Sequence, residues 1–118
     1  MNLFYIACGG FIGANARYFL GLALNQVNPL RPYGTWIANI TGSFLLGILF
    51  ISLENGFISP PLWLLLGTGF CGAYTTFSTF GTETLAMILS KRYFQACIYC
   101  LSSIVVSLAG VSIIFLLN

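Results

Sequence analysis

Reading from the first residue, apolar side chains run almost without relief through 3–24, 33–53, 60–90 and 93–117, and polar residues cluster between those stretches. A bilayer-spanning helix needs roughly 20 mostly apolar residues, so the pattern predicts four spans. The intervening segments are NQVNPLRP, ENGFISPP and SKRY, which carry prolines, a glycine and charge, the chemistry expected where backbone meets water. The expectation is an all-α integral membrane protein forming a single four-span domain over 1–118. The first stretch contains Arg17 and no small-residue cleavage site, so it is expected to be a span and not a removable leader.

The third stretch is too long for one straight crossing. About 31 helical residues would reach roughly 46 Å, against a hydrocarbon core of about 30 Å. Gly67, Gly69, Gly72, Thr75, Thr76 and Gly81 make its middle the easiest place to unwind. Two half-helices are therefore predicted, 61–71 and 76–90, joined near Gly72 to Thr75. Such a break is tolerated in a membrane only where the freed carbonyls and amides are buried in protein or line an aqueous cavity. Elsewhere Gly9 and Gly13 form G-x-x-x-G, and Ser43 with Gly47 repeats the spacing, as expected for close helix packing. Helices packed this tightly enclose little volume, so a pathway is expected between subunits.

Composition sharpens the picture. Hydrophobic residues make up 58% of the chain and charged residues 5%, far below the roughly one quarter of a soluble domain. The net charge is +2 with no basic run, which excludes nucleic acid as a partner. The chain has no His and no Asp, which removes most catalytic constellations and the usual transition-metal ligands, so no enzyme activity is expected. Cys8, Cys71, Cys97 and Cys100 lie in or near spans and are expected to be packing residues.

A few polar groups inside the spans need a reason. Arg17 and Glu83 either form an ion pair, with snorkelling as the alternative for Arg17, or serve a watery entrance where the arginine concentrates an anion. Asn39 shares a face with Thr35 and Ser43, and Tyr99, Ser103 and Ser107 line another at i, i+4, i+8. Each taken alone suits a helix–helix hydrogen bond. Phe77 and Phe80, at i, i+3, border the break. Together these residues describe a lane of neutral donors and aromatic edges able to replace the water of a small anion, whereas carbonyls freed at the break suit a hard cation.

Three segments, GGFIGANARY (Gly9 to Tyr18), GTWIANITGSFLLG (Gly34 to Gly47) and GFCGAYTTFSTFGTET (Gly69 to Thr84), resemble the signature segments of the CrcB/Fluc fluoride channels. The resemblance covers essentially the whole chain. It implies an antiparallel dual-topology dimer in a prokaryotic plasma or inner membrane. Two fluoride pathways would run along the subunit interface, releasing cytoplasmic fluoride passively and relieving its toxicity. It implies a structural sodium ion at the dimer centre, held by main-chain carbonyls that match Gly72 and Thr75. Asn39, Phe77, Phe80, Tyr99, Ser103 and Ser107 match the fluoride pathway, and Arg17 and Glu83 the family's charged positions. Arg31, Lys91 and Arg92 fall on the face opposite Glu54, a bias that raises a paralogous heterodimer of fixed orientation as the alternative to a homodimer. A small multidrug transporter, also of four spans, would need a first-span carboxylate where this chain has Arg17. A disulfide-generating oxidoreductase would need exposed cysteine pairs. A non-transporting assembly protein is the remaining competitor.

Overall fold

The computed structural model describes residues 1–27 and 29–118. It opens with helix α1 (Asn2–Leu24), followed by a small antiparallel ribbon of β1 (Asn25–Val27) and β2 (Leu30–Pro32), with Asn25 opposite Pro32 and Val27 opposite Leu30. This ribbon departs from the purely helical expectation. It also has a task, because the Asn25 side-chain oxygen accepts from the Gly34 and Thr35 amides at 2.7 and 3.3 Å. Helix α2 (Tyr33–Glu54) has no capping side chain at its own N-cap, Pro32, and takes this one from the preceding strand.

Helix α2 ends where the chain can turn left-handed. Gly56 has φ +76°, its amide donates to the Leu53 carbonyl, and Phe57 donates to Ser52, the paired bonds of a Schellman ending. Helix α3 (Pro60–Trp63) then starts on Ser59, whose hydroxyl accepts from Leu62, with proline at the first turn where no amide is missed. It widens into a π-helical stretch, Leu64–Cys71, and narrows again as α4 (Gly72–Tyr74). After an interruption come α5 (Ser78–Leu89) and α6 (Tyr93–Leu116). Between those two, Lys91 takes the left-handed conformation, φ 62°, and the same pair of bonds closes α5 through Lys91 to Ile88 and Arg92 to Met87.

The closest helix contact is α1 against the π-helical stretch. A methyl group placed on Gly9 would fall on the Leu65 carbonyl, one on Gly13 on the Phe70 carbonyl, and one on Gly69 would lie 2.7 Å from the Ile6 carbonyl. The expected small-residue packing of Gly9 and Gly13 is thus present, backbone against backbone. Gly47 differs: a methyl there would meet Val111 and Ile114 at ordinary distances of 3.7–3.8 Å. The close approach of α2 to α6 is instead at Gly110, beneath the Phe44 ring.

The interior is made of small groups. Cys71 is the largest side chain with under 2% exposure among the described residues, while large apolar side chains such as Phe11, Leu101 and Leu108 point outward. Helices α2 and α6 are each long and apolar enough to cross a membrane. Arg92 donates to the Leu30 carbonyl at 2.6 Å, which brings the basic connections to one end, and Asn55 bonds Asn118 at 2.8 Å at the other.

Candidate functional site

Helical hydrogen bonding lapses between Tyr74 and Ser78. The sequence pointed to Gly72 as the start of the gap, yet Gly72 is helical and the backbone first turns extended at Thr75, with φ −86° and ψ 156°. Asn39 accounts for the shift. Its carboxamide bonds both backbone groups of Thr76, accepting from the Thr76 amide at 2.7 Å and donating to the Thr76 carbonyl at 2.9 Å. Exposed backbone polarity is costly in an apolar setting, so the chain unwinds where a side chain is ready to replace the helical partners and not merely where glycine weakens the helix.

Other side chains complete the joint. The Thr76 hydroxyl accepts from the Thr79 amide at 3.2 Å, and the Thr75 hydroxyl donates to the Cys71 carbonyl at 2.8 Å. Arg17 brackets the gap from α1: its Nε donates to the Ala73 carbonyl at 3.1 Å and its Nη1 to the Thr79 hydroxyl at 3.5 Å. A cation there also meets the negative end of the preceding helix. Gly42 lets α2 approach, since a methyl on it would collide with the Thr75 methyl. Arg17 and Glu83 therefore satisfy themselves on different groups. Glu83 accepts from the Tyr99 hydroxyl at 3.4 Å.

From the gap an aromatic series leads inward. Phe77 is 84% exposed; its ring lies 6.1 Å from that of Phe80, and Phe80 lies 5.1 Å from Tyr99. Tyr99 and Ser103 are buried within the single chain, Ser103 donating to the Tyr99 carbonyl at 2.7 Å, and Ser107 is half-exposed. Phe77, Phe80, Tyr99, Ser103 and Glu83 thus lie together along α5 and α6, while Asn39 and Arg17 attend the gap itself. Sequence reasoning missed Thr76 and Thr79 as hydrogen-bonding partners, and missed the bond from the Trp36 indole to Ser102 at 2.9 Å. The only signal for the two threonines was the density of hydroxyls in TTFSTF.

Residues 4–115 match the family model described as CrcB-like protein, Camphor Resistance (CrcB). The chain belongs to the CrcB family. It is 46% identical over 104 residues to the fluoride-specific ion channel FluC of Oceanobacillus iheyensis, a match spanning 87% of this chain and 80% of that one. It is 39% identical over 104 residues to the FluC of Chlorobium phaeobacteroides, spanning 87% and 81%. A third relative, FluC 2 of Moorella thermoacetica, is 46% identical over 105 residues, spanning 88% and 85%. These relatives are named as channels, and the CrcB chain is an α-helical membrane protein, not an enzyme.

In this CrcB chain a cavity of about 510 Å³ opens beside the joint, lined by Arg17, Thr35, Thr76, Thr79, Asn25 and Tyr18 among others. One guanidinium and several neutral hydroxyls can receive a partly hydrated anion there without a carboxylate to repel it. The opposite chemistry sits on the backbone. The Thr76 amide bonds Asn39 and the Thr79 amide bonds the Thr76 hydroxyl, so the carbonyls of Gly72 and Thr75 are left without their helical donors. Gly72 is exposed and a methyl on it would meet nothing within 4 Å, so the residue itself lies on an open part of the surface. Two such oxygens fit a hard monovalent cation, and among the described residues no group of three or more His, Cys, Asp or Glu competes for a metal. The four cysteines are free thiols, Cys71 buried and Cys97 exposed.

Proposed function

We propose that this chain is a fluoride channel that releases cytoplasmic fluoride passively across a prokaryotic plasma or inner membrane. The observation that carries the reading is the series Phe77, Phe80, Tyr99 and Ser103, neutral rings and hydroxyls beginning at the gap, in a chain whose relatives are named fluoride-specific ion channels. Fluoride is small and strongly hydrated. The positive edges of aromatic rings and amide donors can compensate its lost water without the full charge that would trap it, and the Tyr99 and Ser103 hydroxyls contribute by exchanging their bonds to Glu83 and to the Tyr99 carbonyl for the ion. Asn39, Phe77, Phe80, Tyr99, Ser103 and Ser107 form the pathway, with the remaining N–H of the Asn39 amide bordering it, and Arg17 serves its entrance. Glu83 is held aside by Tyr99.

In this reading the chain forms a single domain of four spans, with the gap at membrane depth, and works as an antiparallel dimer of itself or of a paralogous pair. The unwound segment beside the exposed Phe77 supports a second copy, because non-helical backbone at membrane depth has to be covered by protein or line an aqueous cavity. The carbonyls of Gly72 and Thr75 hold a structural sodium ion between the copies, where a fixed positive charge steadies the joint.

Fluoride efflux from proteoliposomes, with chloride as the control ion, tests the reading. The parent is expected to release fluoride and retain chloride, and Phe80→Ile to abolish release while the fold persists. Release of both halides by the parent, or unchanged fluoride release in Phe80→Ile, refutes the pathway. A C-terminal reporter found equally on both faces selects the homodimer, and one orientation selects the paralogous pair.

A further inference from the structure

The two carbonyls offered to a cation, those of Gly72 and Thr75, are free for reasons that can be assigned to two side chains. In an uninterrupted helix the amide of residue 76 bonds carbonyl 72 and the amide of residue 79 bonds carbonyl 75. Here the first amide goes to the Asn39 side-chain oxygen at 2.7 Å and the second to the Thr76 hydroxyl at 3.2 Å. We infer that Asn39 and Thr76 are positioning residues for the cation site: each takes the one amide that would otherwise close a ligand carbonyl. The inference rests on the sodium reading above and gives it a cause in the side chains.

The pairing is specific. Asn39 also donates to the Thr76 carbonyl, so the two peptide groups that flank the Thr76 Cα are both held and the Thr76 amide is kept turned away from Gly72. The Thr76 hydroxyl acts only when that peptide is held, since its position depends on the extended backbone that begins at Thr75. Thr75 itself keeps its helical amide bond to the Cys71 carbonyl at 3.0 Å, so the gap opens after residue 75 and not before. In the proposed reading Asn39 serves both routes: its oxygen takes the amide that would close the Gly72 carbonyl, and it is one of the residues of the pathway.

The test is a sodium titration of the melting temperature of purified full-length protein, with N-methyl-D-glucamine balancing ionic strength, run beside the fluoride flux. The parent is expected to be stabilised by sodium. Thr76→Val keeps the shape but loses the acceptor and is expected to need at least about tenfold more sodium for half the effect. Thr76→Ser restores the acceptor and is expected to return to the parent midpoint. Asn39→Leu is expected to abolish the sodium response, and should it fail to fold, the Thr76 pair decides alone. Sodium midpoints equal to the parent's in Thr76→Val, with the parent responding, overturn the assignment while leaving the sodium site standing. A parent indifferent to sodium overturns the site and the assignment together. A Phe80→Ile variant that loses flux but keeps the parent sodium midpoint separates the lane from the cation site.

Discussion

Replacing Gly9 by alanine adds one methyl group, and the structure says where it goes. It would land on the Leu65 carbonyl oxygen and lie 2.9 Å from both the Leu65 carbonyl carbon and the Phe70 amide nitrogen. The obstacle is main chain on the opposing helix, which cannot step aside as a flexible side chain can. Forcing extra volume into a packed contact costs about 1–3 kcal/mol, and a backbone obstacle places Gly9→Ala in the upper part of that range. Alanine returns about 0.8–1.0 kcal/mol through helix propensity, leaving a net loss of about 1–2 kcal/mol. Gly10, one residue on, is the control. A methyl there meets only the Gly69 carbonyl at 3.9 Å and the Ala73 methyl at 4.0 Å, so the propensity gain is unopposed. The two alanine variants should differ by about 2–3 kcal/mol, roughly thirty- to a hundred-and-fortyfold in the unfolding equilibrium. Reversible unfolding in mixed micelles by titrated SDS, followed by tryptophan fluorescence, measures it. Indistinguishable midpoints for Gly9→Ala and Gly10→Ala would refute the backbone-to-backbone contact.

Arg17→Lys keeps the charge but cannot bracket Ala73 and Thr79 with two nitrogens of one plane; a loss of about 1–2 kcal/mol is expected in the same unfolding assay, with Thr79→Ala less than additive to it. Lys91 occupies a left-handed position that glycine adopts without cost, so Lys91→Gly should stabilise by up to about 1 kcal/mol, read as a shift in melting temperature. Ser102→Ala leaves the Trp36 indole N–H without its partner and should cost about 1–3 kcal/mol, whereas Trp36→Phe with Ser102→Ala removes both groups and should recover part of that loss.

What the sequence disclosed and what it withheld follow a physical division. The small-residue spacing of Gly9 and Gly13 was readable because it belongs to one helix face, and the contact it makes is present. The polar residues Asn39 and Arg17 were conspicuous in apolar surroundings, but their partners lie 37 and 56 residues away, and nothing local announces Thr76 or Ala73. Glycine content placed the gap near Gly72 to Thr75; the gap begins later because low helix propensity lowers the cost of unwinding without supplying hydrogen bonds, and Asn39 supplies them only at Thr76. The ribbon at Asn25–Val27 and Leu30–Pro32 was hidden for a similar reason, as three-residue strands carry no usable periodicity. Gly110 went unremarked because its significance belongs to Phe44 on another helix.

The wide turns at Leu64–Cys71 set a rotational phase for everything after them. Each residue of an α-helix advances about 100° around the axis and each residue of a wider turn somewhat less, so losing a single residue from this stretch while its turns stay wide would swing the downstream segment by most of that angle. Thr76 would then face away from Asn39, and Ala73 away from Arg17. The same eight residues that pack against the first helix therefore also act as an angular spacer, intolerant of any change in their number.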